Sequence, residues 1–248
     1  MPNPVAETVA ETGKPRARPR REVIRRHSWP VRLTHWINAL TIFIMVGSGL
    51  NIFNAHPRLY WGQAGANFDK PFLALHAWPD WITIPSYTDL ADARHWHIFF
   101  AWILVANGAL YLAWSLGSRH IQRDLWPGVS DLRDIPRSII DHIKLRHPKG
   151  EAAKRYNVLQ RLAYLGLLAL LIGMVLTGLC MSPGFDAFAP WLVDAFGGRQ
   201  SARTLHFLFA SAIVLFIVVH LIEVVLAGPI NELRSMITGR YAVPGEHD

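Results

Sequence analysis

Apolar residues run along this chain in four long blocks rather than recurring every third or fourth position. The blocks cover residues 33–53, 95–116, 159–181 and 205–227, each 21 to 23 residues long. A helix rises about 1.5 Å per residue, so each block can cross a hydrocarbon layer about 30 Å thick. The third, LQRLAYLGLLALLIGMVLTGLCM, has no polar stripe past Tyr164, and a helix of a water-soluble bundle would need one. The pattern predicts an all-α membrane protein, a bundle of four transmembrane helices. Composition agrees, with 51% hydrophobic residues, 17% charged ones and a positive mean hydropathy.

Charge then orients the bundle. The net charge of +7 would suit a nucleic-acid binder, but its distribution does not. Eight Lys or Arg precede the first block (Lys14 to Arg32) and nine lie between the second and third (Arg119 to Arg155). The other two connections hold three (Arg58, Lys70, Arg94) and two (Arg199, Arg203). This alternation is what the positive-inside rule requires of four spans with both termini in the cytoplasm. Arg20-Arg21 and Arg25-Arg26 resemble an export signal. A full-length span follows them without a small-residue cleavage site, so the first helix is expected to be retained.

Connections are expected to lie at the membrane surface. Residues 54–94 carry Tyr60, Trp61, Trp78, Trp81 and Tyr87, and the last outer connection carries Pro190 and Trp191, residues suited to headgroup depth. Ile135, Ile139, Ile140 and Ile143 predict an amphipathic surface helix, and Ile230, Leu233, Met236 and Ile237 a shorter one.

Candidate chemistry resides in histidines. His206 and His220 stand fourteen residues apart in the last block, hence on nearly one helix face and about 21 Å apart in depth. An imidazole at membrane depth needs a partner, and two haem irons stacked across the bilayer would provide one for each. Orientation then gives His35 the cytoplasmic depth of His220, and gives His95 and His97 the periplasmic depth of His206. His35 and His220 therefore form a candidate inner pair, while His206 pairs with either His95 or His97. The last two lie about 200° apart on a helix, and spacing does not choose between them. The third span offers no histidine and is expected to support packing. His27, His56, His76, His120, His142, His147 and His247 fall in tails or loops and are expected to be solvated. Cys180 is the single cysteine, which excludes an intrachain disulfide, a four-thiolate cluster and a CxxCH haem attachment. Any haem is therefore non-covalently held.

Other polar groups flank these positions. Glu223, three residues after His220, is a candidate proton relay for quinone chemistry, or a carboxylate that reaches the interface. Arg32, Arg94 and Arg203 are candidate partners of haem propionates. Gly47, Gly49, Gly173 and Gly178 would admit a neighbouring helix or a flat macrocycle.

The stretches VRLTHWINALTIF, NAHPRLYWGQAG, RHWHIFFAWILVANGALYL, YNVLQRLAYLGLLALLIGMVLTGLCMSP and GGRQSARTLHFLFASAIVLFIVVHL, with the trailing MITGRY, resemble the bacterial di-haem cytochromes b. That family groups the membrane subunits of nickel–iron hydrogenase, formate dehydrogenase and thiosulfate reductase with the bacterial cytochrome b561 proteins. The resemblance covers residues 27–241. It implies Arg-x-x-His in the second helix, which selects His97, so that His35 and His220 hold one haem b and His97 and His206 another. It also implies a respiratory inner-membrane subunit that exchanges electrons between quinone and a periplasmic oxidoreductase, of molybdopterin type in the thiosulfate-reductase-like branch. The expected organisation is a disordered basic cytoplasmic tail (1–26), a four-helix di-haem domain (27–241) and a C-terminal tail (242–248). The alternatives are a self-contained quinone oxidoreductase acting on a small diffusible oxidant or reductant, and an anchor without cofactor.

The charge pattern makes a direct topological prediction. Reporter fusions after residues 65 and 195 should report the periplasm, and fusions after 145 and 245 the cytoplasm. A periplasmic signal at 145 would invert the assignment and exchange the two depths.

Overall fold

The computed structural model describes residues 22–65, 68–128, 131, 133–143 and 157–243. Four long helices dominate it: α1 (Trp29–Asn54), α2 (Leu90–Gly117), α4 (Val158–Cys180) and α7 (Arg199–Ala227). Each is long and apolar enough to cross a membrane. Between α2 and α4 lies the surface helix α3 (Ile135–Ile143). The short helices α5 (Pro183–Phe188) and α6 (Pro190–Ala195) precede α7, and α8 (Pro229–Thr238) follows it. The expected amphipathic segments are thus helical, with Ile139, Ile140, Ile230 and Ile237 exposed.

Helix ends follow local chemistry. The Asp89 carboxylate accepts from the Asp92 amide to start α2, and Asn157 and Gln160 form a reciprocal capping box on α4. Both caps fall earlier than the apolar blocks of α2 and α4, because polar first turns extend a helix beyond its hydrophobic stretch. Helix α7 begins at Gly198, with φ at +106°, where an added Cβ would lie 2.5 Å from the Gly62 carbonyl carbon. Only glycine allows the outer loop to approach this closely.

Helix α1 packs against α2, and α4 against α7, as two hairpins. The faces turned inward are small and polar rather than greasy. Thr41, Ser48, Asn51, Ser115, Thr177 and Thr204 are among the most completely buried side chains, whereas Phe43 and Leu215 are exposed. This is how membrane helices pack when lipid is as apolar as any core. Asn107 donates to Asn38 Oδ1 at 2.7 Å and to the Thr34 carbonyl at 2.9 Å. Such interhelical bonds average about 0.6 kcal/mol, so the pair sets the register of α1 on α2 more than it stabilises them.

The chain's two ends meet on one face. Strand β1 (Val23–Arg25) pairs antiparallel with β4 (Arg240–Ala242), while β2 (Arg58–Leu59) and β3 (Leu73–Ala74) form a second ribbon in the α1–α2 connection. Arg26 lies 4.3 Å over the Tyr241 ring and reaches Glu232 at 3.4 Å. The Asn231 side-chain amide brackets the Ala242 backbone from both sides. The expected N-terminal tail therefore ends before residue 23 rather than at 26, because residues 240–242 offer it a strand partner. Residues 1–21 and 244–248 of the two expected tails lie outside the described residues. The face bearing β1 and β4 is called inner below, the opposite one outer.

His27, expected to be solvated, is packed into this inner clamp. Burial first, and then the positive neighbours Arg26, His35, Arg32 and His120, lower its pKa to about 4. Its folded-state pKa lies below the ordinary 6.5, so between these values the unfolded chain binds a proton that the folded chain excludes. Stability should therefore fall as pH drops from 6.5 towards about 4. His27→Gln should flatten part of that slope in thermal unfolding curves taken across the range. An unchanged slope would remove His27 as a source of acid sensitivity.

Candidate functional site

Helix α7 carries both histidines that stood fourteen apart in sequence, and each faces another imidazole. At the inner depth the ring centroids of His35 on α1 and His220 on α7 are 6.3 Å apart, with planes at 70°. At the outer depth those of His97 on α2 and His206 on α7 are 6.2 Å apart, at 62°. His95 is exposed and is not brought to the cluster. Phe53 stacks on Phe207 at 4.8 Å beside the outer pair, and Phe216 stacks on His220 at 6.0 Å beside the inner one.

Each outer ring has a hydroxyl within hydrogen-bond distance of its Nδ1. Ser48 Oγ donates its proton to the Ile44 carbonyl at 2.8 Å, so towards His97 Nδ1, 3.1 Å away, it accepts. Thr177 Oγ1 likewise donates to the Gly173 carbonyl at 2.7 Å and accepts from His206 Nδ1 at 2.9 Å. With the proton on Nδ1, the Nε2 lone pair of each ring remains available to a metal. Sequence reasoning missed both hydroxyls, since a Ser or Thr inside a helix ordinarily bonds its own backbone. The glycines receive side chains of neighbouring elements. An added Cβ on Gly47 would meet Ile84, on Gly173 Phe209, on Gly49 the His97 ring and on Gly178 the His206 ring.

The flanking polar groups divide. Arg32 Nη1 donates to the Ile237 carbonyl, tying α1 to α8, while its Nε is buried without a protein partner. Arg203 spends both terminal nitrogens on the carbonyls of His56 and Arg58, holding the outer loop on α7. Hydrogen bonds to a charged group are worth about 1.5–3 kcal/mol each, so Arg203 has a structural task in any case. Arg94 is exposed at the outer end of α2. Glu223 is half-buried and, with Glu232, within electrostatic reach of the His220 ring.

The outer loop covers the outer pair more closely than its composition suggested. Tyr60 is buried, and its carbonyl accepts from Thr204 Oγ1 at 2.6 Å. The Gly62 carbonyl accepts from the amides of Gln200 and Ser201. His56 is not simply solvated either. It stacks on Tyr60 at 5.8 Å, and desolvation, then Arg203 and Arg58, lower its pKa. Trp81 and Trp191 remain well exposed, as their proposed membrane-surface position requires.

The donor set can be tested for fit to haem. Among the described residues no cluster of three or more His, Cys, Asp or Glu could hold a metal ion. Paired imidazoles therefore suit a metal that brings its own equatorial ligands. A metal–imidazole bond of about 2 Å, plus about 1 Å from nitrogen to ring centre, puts the centroids of a bis-imidazole pair about 6 Å apart. Both pairs meet that spacing.

Comparison with known proteins decides the family. The model of the prokaryotic cytochrome b561 family matches residues 26–239. The chain belongs to that family. A relative from Azospira oryzae, named "Putative protein-methionine-sulfoxide reductase subunit YedZ1", is 32% identical over 224 residues, covering 88% of this chain and 98% of its own. A second, from Cupriavidus necator, named "Probable Ni/Fe-hydrogenase B-type cytochrome subunit", is 25% identical over 225 residues, covering 86% and 80%. As a member of this cytochrome family, the chain is a haem-binding, multi-pass inner-membrane protein of electron transport.

Proposed function

We propose that this cytochrome holds two b haems in series and passes electrons between the membrane quinone pool and an oxidoreductase on the periplasmic side. His35 and His220 would be the axial ligands of the inner haem, His97 and His206 those of the outer. The observation that carries this reading is the pair of imidazole couples, 6.3 and 6.2 Å between ring centroids, spaced along one face of α7.

A bound haem b supplies one-electron exchange at iron. Each haem would be held by two imidazoles, which would suit electron transfer rather than binding of a small substrate. The chain's own residues do the rest. Ser48 and Thr177 orient the outer rings, Phe53 and Phe207 exclude water beside them, and Arg203 holds the covering loop in place. Arg32, with a donor to spare at Nε, and Arg94 are suited to propionates. Glu223 would be the group that takes and returns a proton in quinone chemistry at the inner depth. The 32% identical relative is named as a subunit of a reductase for oxidised methionine in proteins. By that likeness electrons run outward, from quinol to a periplasmic reductase, of molybdopterin type as the resemblance implies. With the basic termini inside, the inner pair faces the cytoplasm.

Single ligand losses test the series. His35→Ala or His220→Ala should remove the inner haem, and His97→Ala or His206→Ala the outer, whereas His95→Ala should keep both. Each loss should bring quinone-linked turnover of the partner to background and leave the partner's activity with soluble dyes intact. Unchanged quinone-linked turnover in His206→Ala would take the outer haem off the pathway.

A further inference from the structure

The two hairpins contain closely similar short phrases at the same depth. Residues 45–50 read MVGSGL in α1, and residues 174–179 read MVLTGL in α4. In each, the hydroxyl residue bonds back to the carbonyl four residues earlier and lies within hydrogen-bond distance of a histidine Nδ1 on the second helix of its own hairpin, placed to accept from it. The following glycine faces the ring edge, so an added Cβ would stand 3.4 Å from His97 Cε1 at Gly49, and 3.5 Å from His206 Cε1 at Gly178. Among the described residues the inner rings, His35 and His220, have no such hydroxyl contact.

We propose that Ser48–Gly49 and Thr177–Gly178 are two matched imidazole seats that fix the tautomer and plane of the outer ligands and set the outer haem's potential apart from the inner one. The proposal rests on the reading of His97 and His206 as axial ligands. The physical chain is short. An acceptor on Nδ1–H makes the imidazole a more basic ligand, and a more basic ligand favours the oxidised, more positively charged iron. Each glycine leaves the ring edge unobstructed beside the acceptor, and the backbone of α1 or α4 holds the acceptor rigidly. Ser48 and Thr177 act through the histidines and are positioning residues. The repeat also gives α4 a task despite its lack of histidine, because it carries the seat for His206 as α1 does for His97.

The test uses the haem-loaded, full-length protein, with redox titration followed by optical and paramagnetic resonance spectroscopy. The outer haem's signal is the one that His97→Ala removes. Ser48→Ala and Thr177→Val, the latter nearly unchanged in shape, should each move that haem's midpoint to higher potential and alter its low-spin resonance, leaving the inner signal in place. Ser48→Thr and Thr177→Ser should restore the wild-type values. If both hydroxyl deletions leave the outer midpoint and resonance unmoved, or shift both haems equally, the seats are overturned even where His97→Ala removes a haem. If His97→Ala keeps two haems, the ligand reading beneath the proposal fails instead.

Discussion

Everything in this molecule depends on the cost of placing imidazoles at membrane depth. A ring nitrogen in hydrocarbon without a partner is expensive, and four histidine side chains turn towards one another between the hairpins. Ring pairing at two depths relates the other features. Helix α7 must be long enough to carry both levels, α1 and α2 must each present one ring, and the outer rings need acceptors for their second nitrogen. The small, polar inner faces then follow, since Ser48 and Thr177 both orient rings and let helices approach.

The ends of the bundle serve the same constraint. On the inner side, β1 and β4 bind the segment before α1 to the one after α8, and Arg32 and the Trp36 indole donate to carbonyls at the end of α8. His35 and His220 therefore sit beneath a clamp that joins their two helices. On the outer side, Arg203, Thr204, Ser201 and the Gly198–Gly62 approach hold the α1–α2 connection over the start of α7. At each end of the bundle, contacts between distant parts of the chain join the elements that carry an imidazole pair.

Much of this was legible in the sequence because hydrocarbon thickness sets span length and because histidine is rare at depth. The four blocks and the fourteen-residue spacing of His206 and His220 needed nothing but helical geometry. The choice of His97 needed a family pattern, since two histidines two residues apart look alike to periodicity. What stayed hidden depends on long-range partners. Residues 23–25 look like tail until residues 240–242 lie beside them, His27 looks solvated until the clamp covers it, and Tyr60 looks exposed until the loop folds on α7. Ser48 and Thr177 were hidden for a different reason. A hydroxyl in a helix satisfies itself locally, and its second contact emerges only when the neighbouring helix is in place.

On the proposed reading, one chain holds two bis-imidazole haems non-covalently. The most direct measurement is a pyridine haemochrome assay, after acid–acetone extraction, on fully loaded purified protein. Two haems b per polypeptide, all extractable, is the expected result. One haem per polypeptide would contradict it and leave one of the two imidazole pairs without its metal.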